Sequence, residues 1–320
     1  MRTVEHAAAA LAIVTFSAVT ASAAEGRFER TLQVGAPASV SITAGSGDIT
    51  VTRGAAGAVN VRGHITSSEW FGADATAAIR QLEQNPPIVQ EGNTITIGKI
   101  DDPVAKKLSI SYEVTVPEAT DLNARSGSGD VKVQGIGRDA TLSSGSGSIT
   151  ASDIGGALSA STGSGDLAID RIGGEVRARS GSGSIRAAAV AGAASADTGS
   201  GDIRLEASGP GDISASSGSG DLVIAGARGA LRAKSASGDV TVEGTPAAAW
   251  EVRSASGDVV LTLPPAAAFT LDARSNSGRI DTKAPVTVQG DQPKGTLRGP
   301  VRGGGPQVSV NTSSGDITIR

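Results

Sequence analysis

Leu158-Ser159-Ala160-Ser161-Thr162-Gly163-Ser164-Gly165-Asp166-Leu167-Ala168-Ile169-Asp170-Arg171-Ile172-Gly173-Gly174 is the stretch whose reading decides the fold. Leu158 and Ala160 precede the turn Gly163-Ser164-Gly165-Asp166, and Leu167 and Ile169 follow it. Ile172 then leads into a second turn at Gly173-Gly174. Apolar residues at period two mark strands with one buried face. The following residues place Val176, Ala178, Ile185, Ala187 and Val190 in the equivalent positions. One repeat therefore carries two short strands and two Gly-rich turns, with no room for the helix of a βαβ unit.

The register extends far in both directions. The last Gly of each signature falls at Gly129, Gly147, Gly165, Gly183, Gly201, Gly220, Gly238 and Gly257, with steps of 18, 18, 18, 18, 19, 18 and 19 residues. Gly278 follows after 21 residues and Gly315 after a further 37, and an early copy stands at Gly47-Asp48. Strands this short gain stability only by pairing with the coils before and after them, about 4.8 Å away. The predicted fold is therefore all-β: a single-stranded parallel β-solenoid of 18-residue coils, flattened or right-handed, with one short N-terminal helix. Stacking predicts ladders such as Leu158–Val176–Ala194 and Leu167–Ile185–Ile203. Roughly ten coils make a rod on the order of 50 Å long.

Composition agrees. The 320 residues include 44 Gly, and aromatics make up only 2%, which suits a thin core of Ala, Val, Ile and Leu. Disorder is the competing reading of so much Gly and Ser, and the fixed spacing argues against it. The net charge is −4 with no basic run, so nucleic acid is not an expected partner. The absence of Cys rules out disulfides and thiolate metal sites.

At the N-terminus, Arg2 precedes an apolar stretch from Ala7 to Val19 and the small-residue site Ala21-Ser22-Ala23. This pattern predicts a signal peptide over 1–23, cleaved after Ala23. No second spanning segment is visible, so the mature chain is expected to be exported, periplasmic or secreted to the cell surface, with no membrane span. Residues 24–120 read as an irregular capping section, 121–282 as regular coils, 283–307 as a Pro/Gly-rich loop and 308–320 as a final coil closing the stack. Within the cap, Asp74 is the predicted N-cap of a helix, with Ile79 and Leu82 on one face and Pro86-Pro87 as the stop.

Three features together resemble the bacterial "putative adhesin" domain family, exported proteins of unknown biochemical role. They are the Ser-Gly-Ser-Gly-Asp-Val/Ile coils, the strand Ser111-Tyr112-Glu113-Val114-Thr115-Val116-Pro117, and Gly304-Gly305-Pro306 leading through Val308 and Val310 to the last Ser-Gly-Asp-Ile. The resemblance spans nearly all of the chain beyond residue 23. It implies the solenoid fold and carries no catalytic residues.

The most conspicuous candidate chemistry is the column of signature acids Asp130, Asp166, Asp202, Asp221, Asp239 and Asp258, interrupted by Ser148 and Ser184. Stacked carboxylates suit Ca²⁺. The nine-residue period of calcium-binding β-rolls is missing, however, and an Asx-type bond within the turn accounts for Asp and Ser alike. Gly47, Asp48, Gly129, Asp130, Gly165, Asp166, Gly201, Asp202, Gly220, Asp221, Gly238, Asp239, Gly257, Asp258, Gly315 and Asp316 are accordingly read as structural turn residues. No catalytic residue, metal or cofactor is predicted. Trp70-Phe71 is the aromatic contact candidate, against packing beneath the helix. Trp250 aligns with inward Leu231 and is read as core.

The expected function is a non-enzymatic, adhesin-like binding scaffold facing a protein or glycan of the envelope. A self-assembling structural element is the alternative, and a β-helical glycan-active enzyme, with paired carboxylates at a cleft, is the weaker one.

Overall fold

The computed structural model describes residues 24–67, 72–288 and 290–320, with helix side chains from Ala75 onward. The leader over 1–23 and the Trp70-Phe71 pair lie outside the described residues.

Each repeat contributes one strand to each of two fourteen-stranded sheets. Leu158–Thr162 joins sheet 2 and Leu167–Ile172 joins sheet 1. Both run parallel to their equivalents one coil on, with Leu158 opposite Val176 and Leu167 opposite Ile185. The two expected ladders form as read, continuing to Ala194 and Ile203. The coil is thus flattened, with two sheets face to face around a thin core. Ala160, Ala178, Ala196, Ala215 and Ala233 stack on sheet 2, and all are essentially inaccessible. Trp250 is buried opposite Leu231, and its indole N–H donates to the Gly229 carbonyl at 3.0 Å.

The early coil, Ala38–Ala44 and Ile49–Arg53, stacks directly on Thr120–Ser126 and Val131–Gln134. The residues between these segments build a cap. Ala58–Thr66 lies antiparallel between Glu25–Gln33 and Ser109–Val116, and Ile88–Glu91 lies antiparallel to Thr94–Ile97. The helix, Gly72–Gln84, buries Ala75, Ala78, Ile79 and Leu82. It packs on the edge strand Glu25–Gln33, where a Cβ on Gly26 would stand 2.3 Å from Ile79. Asp74 lies inside this helix rather than at its cap, because helical backbone begins by Gly72.

The C-terminal coil does not close the stack. Gln307–Thr312 and Ile317–Ile319 insert between the coil at 250–262 and the one at 269–282. The antiparallel strand Thr296–Val301 ends sheet 2 instead, and Ile280–Thr282 ends sheet 1.

Candidate binding surface

The signature turn is a structural device built from two hydrogen-bond columns. In the first, a buried Ser or Thr ends the sheet 2 strand of each stacked coil from Thr120–Ser126 onward. Ser217 Oγ donates to the Gly201 carbonyl of the preceding coil at 2.9 Å and accepts from Gly220 N–H of its own coil at 2.9 Å. Ser126, Ser144, Thr162, Ser180, Thr198, Ser235, Ser254, Thr312 and Ser275 repeat this pair of bonds.

In the second column the signature acid accepts from the amide of the equivalent residue one coil on, not from its own turn as expected. Identical turns stacked in register place that amide beside each carboxylate. Asp221 N–H donates to Asp202 Oδ1 at 2.9 Å, Asp239 N–H to Asp221 at 2.8 Å and Asp258 N–H to Asp239 at 2.8 Å. Where Ser stands in, the bonds lengthen to 3.3 Å at Ser148 and 3.4 Å at Ser184. The Asp166–Asp202–Asp221–Asp239–Asp258 column therefore spends one oxygen of each acid on the fold. Among the described residues no three His, Cys, Asp or Glu side chains gather in a way that could hold a metal.

Surfaces available to a partner lie on the outer faces of the sheets. On sheet 2 the outward residues Arg177, Ser195, Ser214, Arg232, Glu251 and Ser309 occupy successive strands. Two Ser between longer side chains leave a groove of about 590 Å³, with Ala193, Ala230 and Ala249 along one side. Its end wall is an ion-pair chain in which Arg232 Nε lies 3.0 Å and Arg253 Nη2 2.5 Å from the Glu251 carboxylate. The Arg232 hydrogen bond holds Glu251 below the usual carboxylate range. Asp212 Oδ1, also lining the groove, accepts from Ala230 N–H at 2.8 Å.

A second depression of about 600 Å³ lies on the cap strands of sheet 1, lined by Arg27, Glu29, Arg62, His64, Ser111 and Glu113. His64 points outward between Arg27 and Ser111 on neighbouring strands. Phe28 and Tyr112 pack edge to face behind it, with centroids 6.3 Å apart, and burial pushes the Tyr112 hydroxyl well above its ordinary pKa.

Sequence reasoning missed the sheet 2 groove. The outward column is recoverable from the 18–19-residue step, but a run of Ser between Arg residues carries no motif.

Residues 88–320 match the family model described as Toastrack DUF4097. The chain belongs to the Toastrack DUF4097 family. No curated protein matches it. Among solved structures, this Toastrack chain is similar to a "putative cell adhesion protein" from Clostridium sporogenes (13% identity, 92% of this chain and 98% of that one, TM-score 0.19). It is also similar to a "putative adhesin" from Bacteroides fragilis (14%, 92% and 97%, TM-score 0.36). A third is a "putative lipid binding protein" from Parabacteroides distasonis (12%, 92% and 97%, TM-score 0.33).

Proposed function

We propose that the chain is an exported, non-enzymatic scaffold that binds a protein or glycan of the cell envelope on the outer face of sheet 2. The observation that carries this reading is the groove over Ser195 and Ser214. Its floor is parallel sheet locked by two hydrogen-bond columns, and its walls offer Arg232, Glu251 and Arg253 around small apolar side chains. A site on such a floor loses little conformational entropy when it binds. Export rests on the leader pattern over 1–23.

The electrostatics favour binding over glycan cleavage. A general acid needs a raised pKa, whereas Glu251 is lowered by its Arg232 bond and Asp212 is committed to a backbone amide. The sheet edges favour a monomer over self-assembly, since short strands, charge, Pro and covering segments all blunt edge pairing. Glu25–Gln33 is charged and carries the helix. Ile88–Glu91 is four residues long after Pro86-Pro87, and Ile280–Thr282 is three residues long. Thr296–Val301 carries Pro300 and is bridged by Val286.

The test is capture from envelope fractions by the wild-type chain and by Ser214→Trp, which fills the groove from an outward position. Loss of the captured partner with an unchanged melting temperature is expected. Equal capture by both would move the site elsewhere. Solution size constant with concentration is the matching expectation for a monomer, and growth with concentration would favour assembly.

A further inference from the structure

Below the Ser groove, where sheet 2 meets the signature turns, lies a cleft of about 650 Å³. Lys234, Arg253 and Arg274 enter it from one outward column of the sheet. Lys234 and Arg253 are on adjacent strands. Asn311 lies between Arg253 and Arg274, because the C-terminal coil inserts there. The cations thus stand one and two strand steps apart, about 5 and 10 Å.

The lining contains no carboxylate. Among the described residues Arg253 and Arg274 pair only with acids on the neighbouring column, Glu251 and Asp272. Lys234 has no carboxylate within 4.0 Å among these residues, and its charge acts on Glu251 from farther off. Elsewhere along the same column Arg179 is followed by Asp197 and then Ser216, so no other part of it lines up cations in this way. These last coils also exchange the first signature Gly for Ala236, Ala255, Asn276 and Ser313, all of which line the cleft.

We propose that this cleft binds a linear acidic polysaccharide, with its carboxylates on Lys234, Arg253 and Arg274. Its hydroxyls would meet Asn276, Asn311 and Ser313, and its ring faces would lie over Ala236 and Ala255. The inference rests on the binding-scaffold reading and adds the ligand class. Guanidinium and ammonium groups select anionic oxygens, and amides with hydroxyls match sugar hydroxyls.

The test is calorimetric titration of the full chain with polygalacturonate, its neutral methyl ester and polyglutamate. Binding of polygalacturonate at low salt is expected, weakening as salt screens the pairs, with the ester at least tenfold weaker. One solvent-exposed charge contact is worth about fivefold in affinity. Lys234→Gln, which breaks no ion pair, should therefore lose about fivefold. The triple variant with Arg253→Gln and Arg274→Gln should lose on the order of 100-fold. Equal binding of the ester, equally tight binding of polyglutamate, or wild-type affinity in Lys234→Gln would overturn the proposal. Ser214→Trp keeps the two readings apart. If it abolishes partner capture while polygalacturonate fails to bind the wild type, the scaffold reading stands and the polysaccharide falls.

Discussion

The two turns of each coil solve the same problem in opposite ways. The signature turn is fixed in length. Its second Gly stands in all eleven copies, from Gly47 to Gly315. A Cβ on Gly201 would meet the Gly183 carbonyl oxygen at 2.2 Å, and the other stacked copies are equally tight. The opposite turn varies. Both extra residues of the 19-residue coils fall there, since pairing shifts between Ala187 and Val190 and again between Ile224 and Ala227 while the signature side stays in step. Its left-handed position is filled by Gly135, Asp153, Arg171 and Ala189 in turn, although only Gly adopts that backbone without cost. The signature turn adds side-chain columns that run from copy to copy, so it cannot change without its neighbours. The opposite turn also bonds across coils, as Ala191 N–H does to the Ile172 carbonyl at 2.9 Å and Arg171 to Asp153 at 2.6 Å, but it is there that the extra residues are taken up.

The largest expected effect comes from lengthening each turn by one residue. An insertion between Ser200 and Gly201 separates Thr198 from its Gly201 amide and breaks the acid column at Asp202. Buried groups left unpaired cost about 1–3 kcal/mol each, so a loss of about 3–5 kcal/mol is expected. The same insertion between Gly209 and Pro210 should cost about 1 kcal/mol or less. Denaturant midpoints measured on both variants decide this, and equal losses would break the contrast. Next in size is Gly201→Ala, expected to cost about 3 kcal/mol through overpacking against backbone. Gly199→Ala should cost less: its Cβ would stand 2.3 Å from the Gly181 carbonyl oxygen but clear of further backbone, and Ala236 and Ala255 already occupy the equivalent position.

Ser217→Ala isolates the buried hydroxyl column. It leaves the Gly201 carbonyl and the Gly220 amide without their side-chain partner, and about 1–3 kcal/mol should be lost. Ser217→Thr should restore most of it, since Thr162, Thr198 and Thr312 make the same two bonds. If Thr rescued no better than Ala, the hydroxyl would not be what locks the turn.

How legible these features were follows from their range in sequence. The coil, its inward ladders and the burial of Trp250 all rest on period two within a strand and on the 18-residue step, both visible locally. The partner of each signature acid was not, because an Asx bond inside a turn and a bond to the next coil demand the same residue type. The place of the last coil was also hidden. Residues 308–319 follow a long excursion, and spacing alone cannot say between which coils they return. The chemistry of the columns does say so once the coordinates are known. Thr312 donates to the Gly257 carbonyl and Ser275 to that of Gly315, so the hydroxyl column runs through the coils in spatial rather than chain order. The cationic row was least legible, because Lys234, Arg253, Asn311 and Arg274 come to lie side by side only after that insertion.

The same spatial order explains the one signature that ends in Arg. Ser275-Asn276-Ser277-Gly278-Arg279 belongs to the last coil of sheet 1, beyond which no strand of the described residues offers an amide for an Asp to accept. Arg279 instead caps the acid column. Its N–H donates to Asp316 Oδ1 at 2.7 Å, and its guanidinium lies 3.2 Å from Oδ2. The backbone bond first, and the guanidinium second, hold the Asp316 carboxyl below the ordinary Asp range. A carboxyl depressed in the folded state contributes fully above its unfolded pKa of about 3.9 and loses that contribution as pH falls through the folded value. The expected result is a titration of Asp316, followed by carboxyl NMR shifts, with its midpoint below the ordinary Asp value of about 3.9. Arg279→Ala keeps the backbone bond, so it should move the midpoint only part of the way back. Full recovery to the ordinary Asp value would mean that the guanidinium, not the column amide, sets the last rung. The signature turn would then end by charge rather than by the cross-coil backbone bond that continues its acid column.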